Sequence, residues 1–337
     1  MRRPESRKRS RLMIRFVKLA AMQVVLVAAV AVTVHADPQP LEILRQSILS
    51  RTTVDFSGIR TVVVFRDGEK VHGVQQRIDC DAPDRLRILV MGPENQAGKL
   101  CLTSGKQHWE YNPATDRVIH AELPSTEQLV QTRLAELARI ADDMKMHYVG
   151  EEAIAGRQAH VVKVYSQGGV PVKKTWVDTQ QYVELKTQRF DSHGQIKSSA
   201  YYTRIDFSPT FTDDIFDFEA PQGAKIVEAQ RPSERMSLQQ AEKKAGFSAV
   251  LPNYLPPGYR FCSDRTAVIE VKGKATIWLS FSNGADSFSL FERPAEGTLE
   301  PVEHERSITW QHGNYRFTLM GALAHDELLR VKNSIRP

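Results

Sequence analysis

Ala159-His160-Val161-Val162-Lys163-Val164-Tyr165, then the turn glycines Gly168-Gly169, then Lys173-Lys174-Thr175-Trp176-Val177-Asp178 decide the fold class. β-branched and aromatic residues dominate both runs, and alternation sets Val162 and Val164 on one face. The pair reads as a hairpin. The same pattern continues forward through Val183–Phe190 and Ile196–Phe207, with Ser192-His193-Gly194 between them. It extends backward through Gly58–Phe65, Val71–Asp79, Arg85–Met91, Lys99–Thr103 and Gln107–Tyr111. Asp67-Gly68, Ala82-Pro83-Asp84, Gly92-Pro93 and Asn112-Pro113 punctuate these runs, as turns between short antiparallel strands do.

Two segments depart from this period. Leu41, Ile43, Leu44, Ile48 and Leu49 have near-helical spacing, and Ser125–His147 carries a capping start, Ser125-Thr126-Glu127-Gln128, before the stripe Leu129, Leu134, Leu137, Ile140 and Met144. A hairpin-rich sheet with an apolar face needs a cover, and these helices are the available ones. The expected fold is α+β: a curved, partly closed antiparallel sheet (half-barrel) covered by helices over residues 37–230.

Near Ala220-Pro221-Gln222-Gly223 the strand pattern stops, and the polar stretch up to Glu234, with Pro232, marks a linker at 231–235. Residues 236–337 read as a smaller α+β domain. A helix Ser237–Ala245 ended by Gly246 precedes strands at Arg260–Val271, Lys274–Ser282, Ser287–Arg293, Ser307–Gln311 and Tyr315–Met320, and a helix His325–Ser334 follows. About 300 residues exceed one ordinary core, so two domains fit the length.

The first 36 residues form a secretory signal by pattern. Arg2, Arg3, Arg7, Lys8, Arg9, Arg11, Arg15 and Lys18 precede an apolar run, Leu19–Val34, that ends in Val34-His35-Ala36. Sixteen uncharged residues fall short of the ~20 of a spanning helix, so cleavage near Ala36 and a periplasmic protein starting at Asp37 are expected. The whole chain carries 45 Lys+Arg and 40 Asp+Glu; without residues 1–36 the numbers become 37 and 39, a net charge of −2. The basic character belongs to the targeting segment and gives no reason to expect a nucleic-acid partner. In an oxidising compartment the three cysteines, Cys80, Cys101 and Cys262, allow one disulfide. Cys80 with Cys101 is the candidate pair, although an intervening strand at Leu86–Met91 would hold them ~9–10 Å apart.

Chemistry-bearing motifs are absent. There is no Gly-x-Ser-x-Gly elbow, no phosphate-cradling Gly-Lys-Ser/Thr loop and no paired Cys-x-x-Cys, and His304 lacks the second histidine of a zinc-protease helix. Asp213 and Asp214 are neighbours that suit a turn better than a shared proton. No enzyme activity, cofactor or metal is expected. What remains is apolar and aromatic surface: Ile88, Val90, Trp109, Tyr111, Val162, Val164, Trp176, Tyr201 and Ile205. Each alone is better explained as core. Together, on a half-open barrel, they are the candidate lining of an apolar ligand cavity.

Four stretches of the first domain carry a family resemblance: Val54-Asp55-Phe56-Ser57-Gly58, Gly105-Lys106-Gln107-His108-Trp109-Glu110-Tyr111, Ala155-Gly156-Arg157-Gln158-Ala159, and Trp176-Val177-Asp178 with Leu185-Lys186. Leu255-Pro256-Pro257-Gly258-Tyr259 and the run Gly313–Gly321 carry it in the second. With these the mature chain resembles the MucB/RseB family of periplasmic regulators of the envelope-stress sigma factor, whose first domain resembles the LolA/LolB lipoprotein-carrier fold. The resemblance implies a non-enzymatic protein that binds the periplasmic domain of a membrane-spanning anti-sigma factor and shields it from proteolysis. It further implies a lipid-like ligand as the release signal, and it is compatible with a homo-oligomer. The partner-binding residues are not marked by any motif. The competing reading is a lipoprotein or lipid carrier of the cell envelope, for which residues 236–337 would have no evident use.

Overall fold

The computed structural model describes residues 39–336 apart from positions 67, 192, 229–234, 272, 284, 285, 305 and 322. They fall in one compact unit, Pro38–Pro337. The signal segment expected over 1–36 and most of the expected linker lie outside the described residues.

Helix α1 (Pro40–Leu49) begins with Pro40, whose fixed φ suits the first turn. A meander follows: β1 (Phe56–Arg66), β2 (Glu69–Asp81), β3 (Arg85–Gly92), β4 (Leu100–Ser104), β5 (Gln107–Asn112) and β6 (Arg117–Glu122). Helix α2 (Thr126–Asp143) starts at the Ser125–Gln128 capping box. A second meander comprises β7 (Lys145–Ile154), β8 (Arg157–Tyr165), β9 (Pro171–Asp178), β10 (Glu184–Phe190) and β11 (Ile196–Asp206), and β12 (Lys225–Glu228) ends the series. The last long strand, β11, pairs with the first, β1, and so joins the two meanders into one twelve-stranded sheet in the order β12-β6-β5-β4-β3-β2-β1-β11-β10-β9-β8-β7. Every pairing is antiparallel except β12 on β6. The sheet is open, yet β7 lies against β11 four places away. A flat sheet would set them ~19 Å apart, so this end is strongly curved.

Register sorts the side chains onto two faces. On the helix-bearing face Ile43, Leu44, Ile140 and Met144 pack on Val162, Val164 and Val177. Farther along, Phe56, Ile78, Cys80 and Tyr202 are buried together. The opposite face is covered in part by the chain after β11, where Phe216 is buried and Phe218 lies 5.4 Å from the Trp109 ring.

The helix expected over Ser125–His147 ends at Asp143, and Lys145–His147 belong to β7. From Met144 onward the apolar residues Met144, Met146 and Tyr148 recur every second position, a strand period that the preceding stripe concealed. Strands β6, β7 and β12 were not anticipated, because each carries charged residues that mask its alternation. The candidate disulfide is not formed. Cys80 on β2 and Cys101 on β4 are both free, with β3 between them.

The second sheet follows α3 (Leu238–Ala245), which Ser237 and Gln240 cap and Gly246, at φ 81°, terminates. The strand expected over Arg260–Val271 is two strands, β13 (Arg260–Phe261) and β14 (Ala267–Val271), separated by a tight turn at Ser263–Arg265. Then come β15 (Lys274–Ser282), β16 (Ser287–Pro294), β17 (Val302–His304), β18 (Ser307–His312), β19 (Tyr315–Gly321) and α4 (His325–Ser334). Leu279, Phe281, Phe288, Leu290, Phe317 and Leu319 fill the core beneath Ala241 of α3 and Leu328 and Val331 of α4. Gly321 is required there, since a Cβ would lie 2.5 Å from Cβ of Phe288.

Glu292 of β16 sits in this core with no exposed surface. The Val250 N–H donates to one carboxylate oxygen at 2.8 Å, and the other oxygen has no protein partner. Burial, with a smaller push from Glu242, raises its pKa to about 8. Between pH ~4.5 and ~8 the folded chain therefore holds a proton that the unfolded chain has released, and stability falls by up to ~1.4 kcal/mol per pH unit. Glu292→Gln should remove this loss. Thermal melts at pH 6 and pH 9 should show a smaller Tm drop in the variant than in the parent; equal drops would contradict the assignment.

Candidate functional site

The residues that carry the family resemblance hold the scaffold. Asp55 Oδ1 accepts from the Ala82 N–H at 2.8 Å, and Ser57 Oγ donates to Asp79 at 2.6 Å. Gly58 leaves room for Tyr202, whose ring would lie 2.8 Å from an added Cβ. Arg157 and Asp178, drawn from two separate stretches, form a two-pronged ion pair at 2.8 and 3.1 Å, and Asp178 also accepts the Gln180 and Gln181 N–H groups of the following turn. Burial opposes the Asp178 charge, but these donors outweigh it and hold its carboxyl below the usual range.

The nine candidate ligand residues do not converge. Ile88, Val90, Val162 and Val164 lie on the helix-bearing face by register, with β3 and β8 six strands apart. Trp109, Tyr111, Trp176 and Tyr201 point to the opposite face. Trp109 stacks on His120 at 3.9 Å. Trp176 donates from Nε1 to Glu152 at 2.7 Å and is flanked by the ammonium groups of Lys174 and Lys186 at 4.4 and 4.3 Å from its ring. Ile205, beyond the bulge in the β1–β11 pairing, touches the clusters around both Phe56 and Trp176.

The large concavity lies elsewhere, between the two sheets. It encloses about 990 Å³, a volume suited to a drug-sized ligand or several residues of peptide. The first sheet contributes Val62, Val64 and Val71 from the β1–β2 hairpin, with Val172, Phe190 and Ile196 from β9, β10 and β11. The second half contributes Pro257, Tyr259 and Leu323; Arg66, Arg306 and Glu303 add charge, and His325 adds a polar ring to the lining. Tyr259 is placed by the turn Pro256–Tyr259, closed by its N–H donating to the Pro256 carbonyl at 3.0 Å. Gly258, at φ 80°, lets the turn pass where Ser166 of one half approaches Asn283 of the other. Leu255–Tyr259, which the sequence tied to family and not to a site, thus brings Pro257 and Tyr259 to the concavity.

Asp286 joins the two halves at this cleft. It is 8% exposed and accepts from Lys197 Nζ at 2.9 Å, with Arg189 at 3.7 Å. Its backbone N–H donates to Asn283, and Ser282 Oγ donates to its carbonyl. Burial, then the negative charges of Asp286 and Glu327, push the Tyr259 hydroxyl well above its ordinary pKa. It stays a neutral donor. Glu327 accepts from the Tyr254 hydroxyl at 2.8 Å and from Arg330 at 2.9 Å.

One grouping has the residue types of a thiol enzyme: Cys101 Sγ lies 4.0 Å from His108 Nε2, which also meets Glu110 at 3.2 Å. Burial, aided by Glu110, pushes the Cys101 thiol up to about 11. The thiolate needed for attack is scarce at neutral pH.

A family model described only as an uncharacterized protein matches residues 84–211. An uncharacterized protein of Methanocaldococcus jannaschii is 23% identical over 218 residues, 58% of this chain and 62% of that protein, so the chain spans less than two thirds of this relative. The MucA/MucB complex of Pseudomonas aeruginosa aligns with a TM-score of 0.59 at 18% identity, covering 88% of this chain and 98% of that one. MucB in complex with MucA(peri) aligns with a TM-score of 0.57 at 17% identity, covering 89% and 99%. Coverage of that extent takes in both sheets. The chain has the MucB-like fold that its sequence resemblance implied.

Asp286→Ala should leave the Lys197 and Arg189 charges without this partner and lower stability by ~1–3 kcal/mol. Denaturant unfolding should show the loss, and amide exchange should quicken on both sides of the cleft; a change confined to the second sheet would mean that Asp286 does not join the halves.

Proposed function

We propose that this protein is a periplasmic negative regulator of an envelope-stress sigma-factor pathway. In this reading residues 37–230 and 236–337 act as two domains of an exported protein, and the cleft between them captures an extended segment of a membrane-spanning anti-sigma factor and shields it from proteolysis. A lipid-like ligand that competes for the same apolar walls is the release signal. The observation that carries the reading is the alignment of both sheets with MucB as found in its complex with MucA. The cleft supplies the physical means, since valine, phenylalanine and tyrosine walls with charges between them suit a peptide of mixed character. Ligand and segment that exclude each other weaken each other's binding by the same factor. The function requires no chemistry of bond making.

A carrier of lipids or lipoproteins is the second reading, favoured by the same apolar walls. It requires ligand binding but no capture of an anti-sigma segment.

The test uses two exposed residues of the first sheet, Val71 at 49% in the cleft and Met91 at 48% away from it. Val71→Asp should weaken capture of the periplasmic fragment of the cognate anti-sigma factor at least tenfold, ~1.4 kcal/mol, with Tm unchanged. Met91→Asp should not. A fluorescent fatty-acid analogue should displace the fragment from the parent protein. Equal effects of the two substitutions would move the site out of the cleft, and ligand binding without any capture by the parent would make the protein a carrier.

A further inference from the structure

Helix α2 touches both halves of the molecule. Ile140 and Met144 pack with Ile43 of α1 on the first sheet. A second stripe, Glu136, Arg139 and Asp143, is spaced by three and four residues and so lies along one side of the helix. Each member meets an opposite charge from the stretch 260–265 of the second half: Glu136 with Arg265 at 2.9 Å, Arg139 with Asp264 at 2.6 Å, and Asp143 with Arg260. The signs alternate along α2 and alternate oppositely along its partner, which runs the other way. A slip of one rung would face Glu136 with Asp264 and Arg139 with Arg260. Like charges would then oppose, so the ladder favours one register.

The ladder and the cleft share a wall. Tyr259 lines the cleft and Arg260 is the next residue; β13, Arg260–Phe261, pairs with Ser282 and Phe281 of β15, and Asn283 and Asp286 just beyond line the cleft. A shift of the 260–265 stretch away from α2 therefore carries the cleft wall with it.

We propose that α2 is a strap whose charge ladder sets the width of the cleft between the two halves. A segment seated in the cleft favours the intact ladder. Only the nature of the cleft's occupant rests on the proposed function; the strap itself does not.

In the full mature chain, Arg265→Glu sets two carboxylates against each other. Amide exchange in α2 and in 259–265 should quicken at least tenfold, and the radius of gyration from X-ray scattering should rise. The double variant Glu136→Arg with Arg265→Glu restores opposite signs and should restore both readouts. Because the ladder residues are partly exposed, raising salt to ~1 M should loosen the parent protein in the same way, which keeps the test informative if the single variant fails to fold. Unchanged exchange in the single variant, no rescue in the double variant, or a parent indifferent to salt would overturn the strap. None of these readouts uses an anti-sigma segment, so failure of capture with a responsive ladder would overturn the functional reading alone.

Discussion

A twelve-stranded sheet has two faces, and water must be kept from the apolar side chains on both. Much of the remaining architecture answers that constraint. Helices α1 and α2 lie on Val162, Val164 and Val177. On the other face the chain after β11 lays Phe218 against Trp109 and Tyr111 and buries Phe216 beside the guanidinium of Arg85. The second sheet, with its own core under α3 and α4, seats against the hairpin ends of the first. A cleft remains where the two halves meet, and such junctions are common binding sites.

Buried charge follows a consistent rule. Asp79, Asp178 and Asp286 are each nearly or wholly enclosed, and each has arginine or lysine partners: Arg77 and Arg87, Arg157, and Lys197 with Arg189. Pairing and hydrogen bonding offset the cost of burying a charged group. Glu292 has only a backbone donor and is therefore driven toward its neutral form. Asp79 ties β2 to β3 and Asp178 ties β8 to β9, which gives them a part in fixing register, whereas Asp286 joins elements far apart in sequence and has a part in docking.

The sequence made the sheet legible and the site largely illegible, for physical reasons. Period-two runs around Gly168-Gly169 and Asp67-Gly68 announced hairpins correctly, the capping start at Ser125 placed one helix start to within a residue, and the helix read from Ser237 to a stop at Gly246 is present as α3. Where charge interrupted the alternation, as in Arg117–Glu122 and Lys145–Ile154, strands went unseen. The nine aromatic and aliphatic candidates were chosen by character alone. Alternation gives the face of a residue within its own strand, but which faces of distant strands coincide depends on the register of every pairing between them. The cleft depends in addition on how the two sheets dock, and that information lies in pairs such as Lys197–Asp286, 89 residues apart. Leu255–Tyr259 was visible as a motif, yet its place in the cleft became apparent only with Ser166 and Asn283 beside Gly258.

The proposed function places an anti-sigma segment in the cleft. A photo-crosslinking side chain placed singly at Val71 or His325, on the two walls, and at Met91 or Val149, exposed residues outside the cleft, would locate a labelled segment directly in the full chain. The account predicts crosslinks from both Val71 and His325, lost on adding a competing fatty-acid analogue, and none above background from the other two. Crosslinks from Met91 or Val149 that match or exceed those from the cleft would contradict it.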